Sequence, residues 1–198
     1  MSRETHMDLD DFKKRLTGGS PDRVAHSFIT AEEVAAFPTP AAYRTFLVAA
    51  AAEFPAAESI HVVGSGNWGY SLDPNNLFRP FSGASDLDVA IISTSLFNEA
   101  WERLRQFHRA RYYRLPQAVR DNLRRNGENV YCGFVAPNWI PEYGHEFRYS
   151  FLQRLNRVTQ ATRAINHMTA LYFKNLTECV DYYTRSVRIA RRELGYEL

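Results

Sequence analysis

Between His61 and Ile92 the chain reads HVVGSGNWGYSLDPNNLFRPFSGASDLDVAII. Two short apolar runs, rich in valine and isoleucine, bracket a polar stretch dense in glycine, proline, asparagine and serine. Runs of that length between turn formers read as buried strands, too short for helices. Ser59 to Gly64 and Asp86 to Ser93 are therefore expected to be strands. A sheet built on them needs apolar helix faces to cover it, so the fold class is α/β (or α+β).

The flanking sequence supplies those helices. Met7 to Leu16 reads as a helix closed by Gly18-Gly19, and Thr30-Ala31-Glu32-Glu33 reads as a capping box opening a brief helix to Phe37. Thr39-Pro40 opens another, with Tyr43, Phe46, Leu47, Ala50 and Phe54 at helical spacing. Leu96 to about Arg111 is expected to be helical, and a further helix follows Pro116 and ends at Asn126-Gly127. Val130 to Val135 reads as a strand and Ala136 to Gly144 as a loop. Glu146 to Asn156 fits strand or helix, and Ala164 to Phe173 fits a strand. Leu176, Cys179, Val180, Tyr183, Val187 and Ala190 mark a last helix. The chain shows no repeat and no linker, so we read one domain over 1–198, with a helical N-terminal extension (1–38), a core (39–173) and a C-terminal helix (174–198).

Composition sets bounds. A chain of 198 residues that is 45% hydrophobic can bury one substantial core. No window approaches the run of about 18 apolar residues that spans a membrane, and the charged start does not read as a secretion signal. Two cysteines, Cys132 and Cys179, make neither a disulfide framework nor a metal pattern, which points to a cytoplasmic setting. The formal charge is +2, yet residues 1–100 balance at −6 and residues 101–198 at +8. Of the 24 basic residues 21 are arginine, which suits an anionic partner and also a GC-rich coding composition.

The chemistry concentrates at the two strand ends. Residues i and i+2 of a strand share a face, so Asp86 and Asp88 set two carboxylates side by side. Such a pair calls for a cation between them, and magnesium takes one or two carboxylates together with water and phosphate. Gly64 lets a phosphate approach the backbone, and Ser65 adds a hydroxyl.

Gly64-Ser65 followed by Asp86-Leu87-Asp88 resembles the signature of the polymerase-beta-like nucleotidyltransferase superfamily, and the wider NWGYSLDPNN…SDLDVAII is similar to small bacterial nucleotidyltransferase-like proteins. The resemblance implies a nucleotidyltransferase-type mixed sheet flanked by helices, a nucleoside triphosphate, ATP first among them, and Mg as ligands, and transfer of a nucleotidyl group to a hydroxyl on protein, RNA or a small molecule. Gly64 and Ser65 match its phosphate turn; Asp86 and Asp88 match its metal ligands and catalytic carboxylates. Asn67, Tyr70, Arg79 and Ser85 are further candidates for contacting nucleotide, Tyr70 by stacking and Arg79 through phosphate. Trp68 and Phe78 read as loop anchors.

Two departures from that pattern stand out. The stretch between Ser65 and Asp86 is longer than usual, and the later strand expected over Val130–Val135 carries no third carboxylate. Glu146 is the candidate for that role if its segment is a strand. Without such a group the alternative is a degenerate nucleotidyltransferase fold that binds nucleotide or partner and regulates, by analogy with toxin–antitoxin or phage-defence proteins. Eight arginines between Arg103 and Arg125, with only Glu102 and Asp121 as acids, form a candidate surface for RNA or an acidic protein. The acidic first half is a candidate for that partner face in an oligomer. The scattered His61, His108, His145 and His167 show no metal-ligand spacing.

Overall fold

Hydrophobic alternation along four strands divides the core in two. In a computed structural model that describes residues 7–140, 146–162, 165 and 167–196, the strands are β1 (Ser59–Val63), β2 (Leu87–Ile92), β3 (Phe134–Val135) and β4 (Met168–Phe173). Their order is β1-β2-β4-β3; β1 and β3 run antiparallel to their neighbours, and β2 and β4 are parallel. The mixed α+β class is as expected. Leu87, Val89 and Ile91 of β2, with Val62, Met168, Ala170 and Tyr172, line one face of the sheet. Val63, Ala90, Ile92 and Phe173 line the other.

Helices cover both faces. On the first lie α3 (Pro40–Glu53), α5 (Thr94–Arg111), α6 (Gln117–Tyr131) and α7 (Glu146–Thr162). On the second lie α1 (Leu9–Thr17), α2 (Pro21–Ile29) and α8 (Leu176–Glu193). Side-chain caps start several of them: Asp8, Thr39, Ser93 and Asn175 each accept from a backbone N–H three residues on. Helices α1 and α2 form one layer with α8 through Phe12, Phe28 and Val187. Among the described residues no helix is long and apolar enough to cross a membrane.

Several local expectations give way to tertiary contacts. Thr30 ends α2 instead of opening a helix; its hydroxyl donates back to the His26 carbonyl (2.9 Å). The segment after it turns, held by Ala35 and Ala36 N–H bonds to the carbonyls of Asn67 and Gly66 (3.1 and 2.7 Å). Helix α6 runs through Asn126-Gly127, since the Asn126 side chain bonds the N–H and carbonyl of Ala136 (3.1 Å each). The strand expected from Val130 shrinks to Phe134–Val135, because α6 continues to Tyr131 and Gly133 has φ +79°. Glu146 to Asn156 is helical. A 3-10 turn (Pro137–Trp139) occupies the expected loop, whose part over 141–144, with His145 and Ala164, lies outside the described residues.

Candidate functional site

Strand β1 ends at Val63, and the chain turns sharply at Gly64, with φ 62° and ψ −152°. That backbone region is essentially closed to other residues. A one-turn helix, α4 (Ser65–Trp68), follows, its Asn67 and Trp68 N–H groups both donating to the Gly64 carbonyl at 3.1 Å. The absence of a side chain at Gly64 matters for a second reason. A Cβ there would lie 2.9 Å from Asp88 Oδ2, so the turn and the carboxylate are packed against each other.

Asp88 sits on β2 between two neighbours, in register with Val63 on β1 and Thr169 on β4. Thr169 Oγ1 donates to Asp88 Oδ1 at 2.7 Å. Burial pushes the Asp88 carboxyl above the usual carboxylate range, against the Thr169 hydrogen bond, and the charge of Asp86 pushes the same way. Asp86, just before the strand, is more open, its side chain 57% exposed. His167 Nδ1 lies 3.6 Å from Asp86 Oδ1, and the His167 carbonyl accepts from Leu87 N–H. Tyr182 of α8 lies under the same face; burial raises its phenol, and the Asp88 charge adds to the effect.

The sequence candidates thus separate into two groups. Gly64, Ser65, Asp86 and Asp88 converge where β1 ends and β2 begins. Ser85 stands next to them but closes its own turn, exchanging hydrogen bonds with Ser82. Asn67 is buried, and its Nδ2 donates to the carbonyls of Phe28 and Val62 (2.8 Å each), which ties α2 to β1. Tyr70 points its hydroxyl at the Met7 carbonyl (3.1 Å) and packs its ring 5.0 Å from Phe12. Arg79 is exposed on the loop, where its charge helps hold the Asp73 carboxyl low behind the Asn76 and Asn75 hydrogen bonds. Trp68, stacked on Phe28, and Phe78, edge-on to Phe12, anchor the long loop as expected.

Glu146 does not join the carboxylate pair. It opens α7 and lines a cavity of about 490 Å³ with Arg103, Arg154 and Tyr172. Tyr172 and Thr169, three residues apart on β4, point to opposite faces of the sheet, so the sheet stands between Glu146 and Asp88. The position beside Asp88 on the neighbouring strand belongs to Thr169. Sequence reasoning misses Thr169, and takes His167 only as one of the scattered histidines without metal-ligand spacing. The alternation of MTALYF already placed Thr169 opposite the buried Met168, Ala170 and Tyr172.

Among the described residues no group of three or more His, Cys, Asp and Glu side chains gathers as a metal cluster. The donor set nevertheless suits a hard cation that brings its own phosphate and water ligands. The charge of Asp86 is felt at Asp88, and burial above all holds that carboxyl above its usual range. Compared with known proteins, the chain matches no family model, no curated protein and no solved structure.

Proposed function

We propose that this protein binds a nucleoside triphosphate, with ATP as first candidate, and a magnesium ion where the Gly64–Ser65 turn meets Asp86 and Asp88. The site acts as a nucleotide-binding, regulatory one on a nucleotidyltransferase-type frame. The observation that carries this reading is Thr169. In the superfamily that the motif resembles, a third carboxylate stands on a strand beside the pair and acts on the attacking hydroxyl. Here the neighbour in register with Asp88 is a threonine that donates a hydrogen bond to it. A hydroxyl steadies the carboxylate, but it can neither accept a proton at neutral pH nor add charge to a second metal position.

The parts divide the work simply. Gly64 opens the backbone to phosphate, Ser65 offers a hydroxyl, and Asp86 and Asp88 hold the cation. Magnesium held there would supply positive charge that partly offsets the triphosphate and the two carboxylates. Thr169 keeps Asp88 aimed at the turn.

A second reading, transfer of the nucleotidyl group to a hydroxyl acceptor, is favoured by His167. Its imidazole lies beside Asp86 at the open edge of the site, where a base for the acceptor would stand. Magnesium-dependent incorporation of α-³²P from each of the four nucleoside triphosphates into protein, tRNA or total RNA distinguishes the two. The binding reading predicts no labelled acceptor from wild type. Label made by wild type and lost in both Asp88→Asn and His167→Ala establishes transfer instead.

A further inference from the structure

Helices α5 and α6 leave a groove between them that the core does not fill. Along α5, Trp101, Leu104, Arg105, His108 and Arg109 succeed one another at alternating steps of three and one, and Tyr112, just past the helix end, continues the same stripe. On α6 the matching stripe is Leu123, Gly127 and Tyr131, each four residues from the last. The cavity they enclose is about 500 Å³ and open to solvent. Its walls are aromatic and aliphatic and its rim is cationic. Tyr131 is 94% exposed at one end.

Gly127 gives the groove its meaning. A glycine inside a helix destabilises it relative to alanine. Here φ is ordinary, and a Cβ would meet no heavy atom within 4 Å, so nothing in this chain requires the glycine. The missing side chain leaves bare helix backbone at the centre of the groove, the surface against which another helix can approach closely.

The rim chooses the partner. Arg105 is paired with Glu102 (2.9 Å), and Arg124 is shared between Asp121 and Glu128 at 4.0 and 3.8 Å. Arg109 adds positive charge on the α5 side, in a half of the chain that balances at +8. We propose that the α5–α6 groove is a docking site for an amphipathic, acidic α-helix of a partner protein. Its apolar side chains, at i, i+3, i+4 and i+7, enter between Trp101 and Leu123, and its flanking carboxylates meet Arg105, Arg109 and Arg124.

The test uses two fluorescein-labelled peptides of about 18 residues, the length of α5 itself. Both carry leucine at i, i+3, i+4 and i+7; one has glutamate at the flanking positions and the other lysine. Anisotropy titration against the full chain should show the glutamate peptide binding at least about tenfold tighter at low salt, with the preference shrinking as salt screens the rim. Arg109→Glu should narrow or invert the preference. Gly127→Trp should abolish binding while the thermal midpoint stays at or above that of wild type, and Gly127→Ala should weaken it with a raised midpoint. Equal binding of the two peptides, no binding of either, or binding indifferent to Gly127→Trp would overturn the proposal. So would a wild-type dimer that Gly127→Trp dissociates, because the occupant would then be a second copy.

Discussion

Replacing Gly64 with alanine tests two features of the site at once. The backbone there, at φ 62° and ψ −152°, costs a non-glycine residue about 1–3 kcal/mol. The added methyl also lies 2.9 Å from Asp88 Oδ2, so the carboxylate must shift by several tenths of an ångström. That shift strains the 2.7 Å bond from Thr169 to Asp88 Oδ1, a charge-assisted contact worth about 1.5–3 kcal/mol. If part of that bond survives, the expected loss is about 2–5 kcal/mol, a large share of the roughly 5–15 kcal/mol that holds a typical domain. With a urea m-value of about 2–3 kcal/mol/M, the midpoint should fall by about 1–2 M. Gly83→Ala is the control: its Cβ would meet nothing within 4 Å, and its midpoint should stay near that of wild type. Equal midpoints for the two variants would refute the packing of turn against carboxylate.

Three further outcomes follow from the same geometry. Burial raises the Asp88 carboxyl in the folded chain, so its ionisation opposes folding; stability is greatest below the ordinary carboxylate range and is lost as pH rises through the raised value. In EDTA, Asp88→Asn should therefore melt higher than wild type at pH 7, and the gain should vanish on acidification in a pH series of calorimetric scans. Thr169→Val keeps the shape but removes the donor to Asp88, and should lower stability at pH 7 by about 1–3 kcal/mol in chemical denaturation. Asn67→Ala removes both Nδ2 hydrogen bonds, leaving the Phe28 carbonyl with the Ala31 N–H alone, and should cost about 1–3 kcal/mol by the same assay while leaving nucleotide affinity unchanged.

The elements most legible in the sequence are those whose periodicity and caps agree. Thr39-Pro40 before the Tyr43–Phe46–Ala50 stripe marks α3, and the two apolar runs give β1 and β2 to within a residue or two. The misreadings occur where one side chain serves a distant partner. Thr30 has the look of an N-cap, but its hydroxyl serves the helix behind it, and the stripe of Val24, Ala25, Phe28 and Ile29 that marks α2 went unread. Asn126-Gly127 resembles a helix stop until Ala136 is seen to occupy the asparagine. The site shows the same limit. Gly64, Ser65, Asp86 and Asp88 could be assembled from local spacing alone. The neighbour of Asp88 could not, because pairing β2 with β4 joins residues 81 apart in the chain, and that pairing puts Thr169 beside Asp88 and leaves Glu146 across the sheet.

Equilibrium binding of ATP tests the central claim most directly, measured by calorimetric titration with magnesium, with EDTA, and with the Asp86→Asn/Asp88→Asn variant. The account predicts saturable binding that requires magnesium and is lost in the double variant, whose thermal midpoint is not lowered. Binding that persists in EDTA, or that the double variant retains in full, would contradict it.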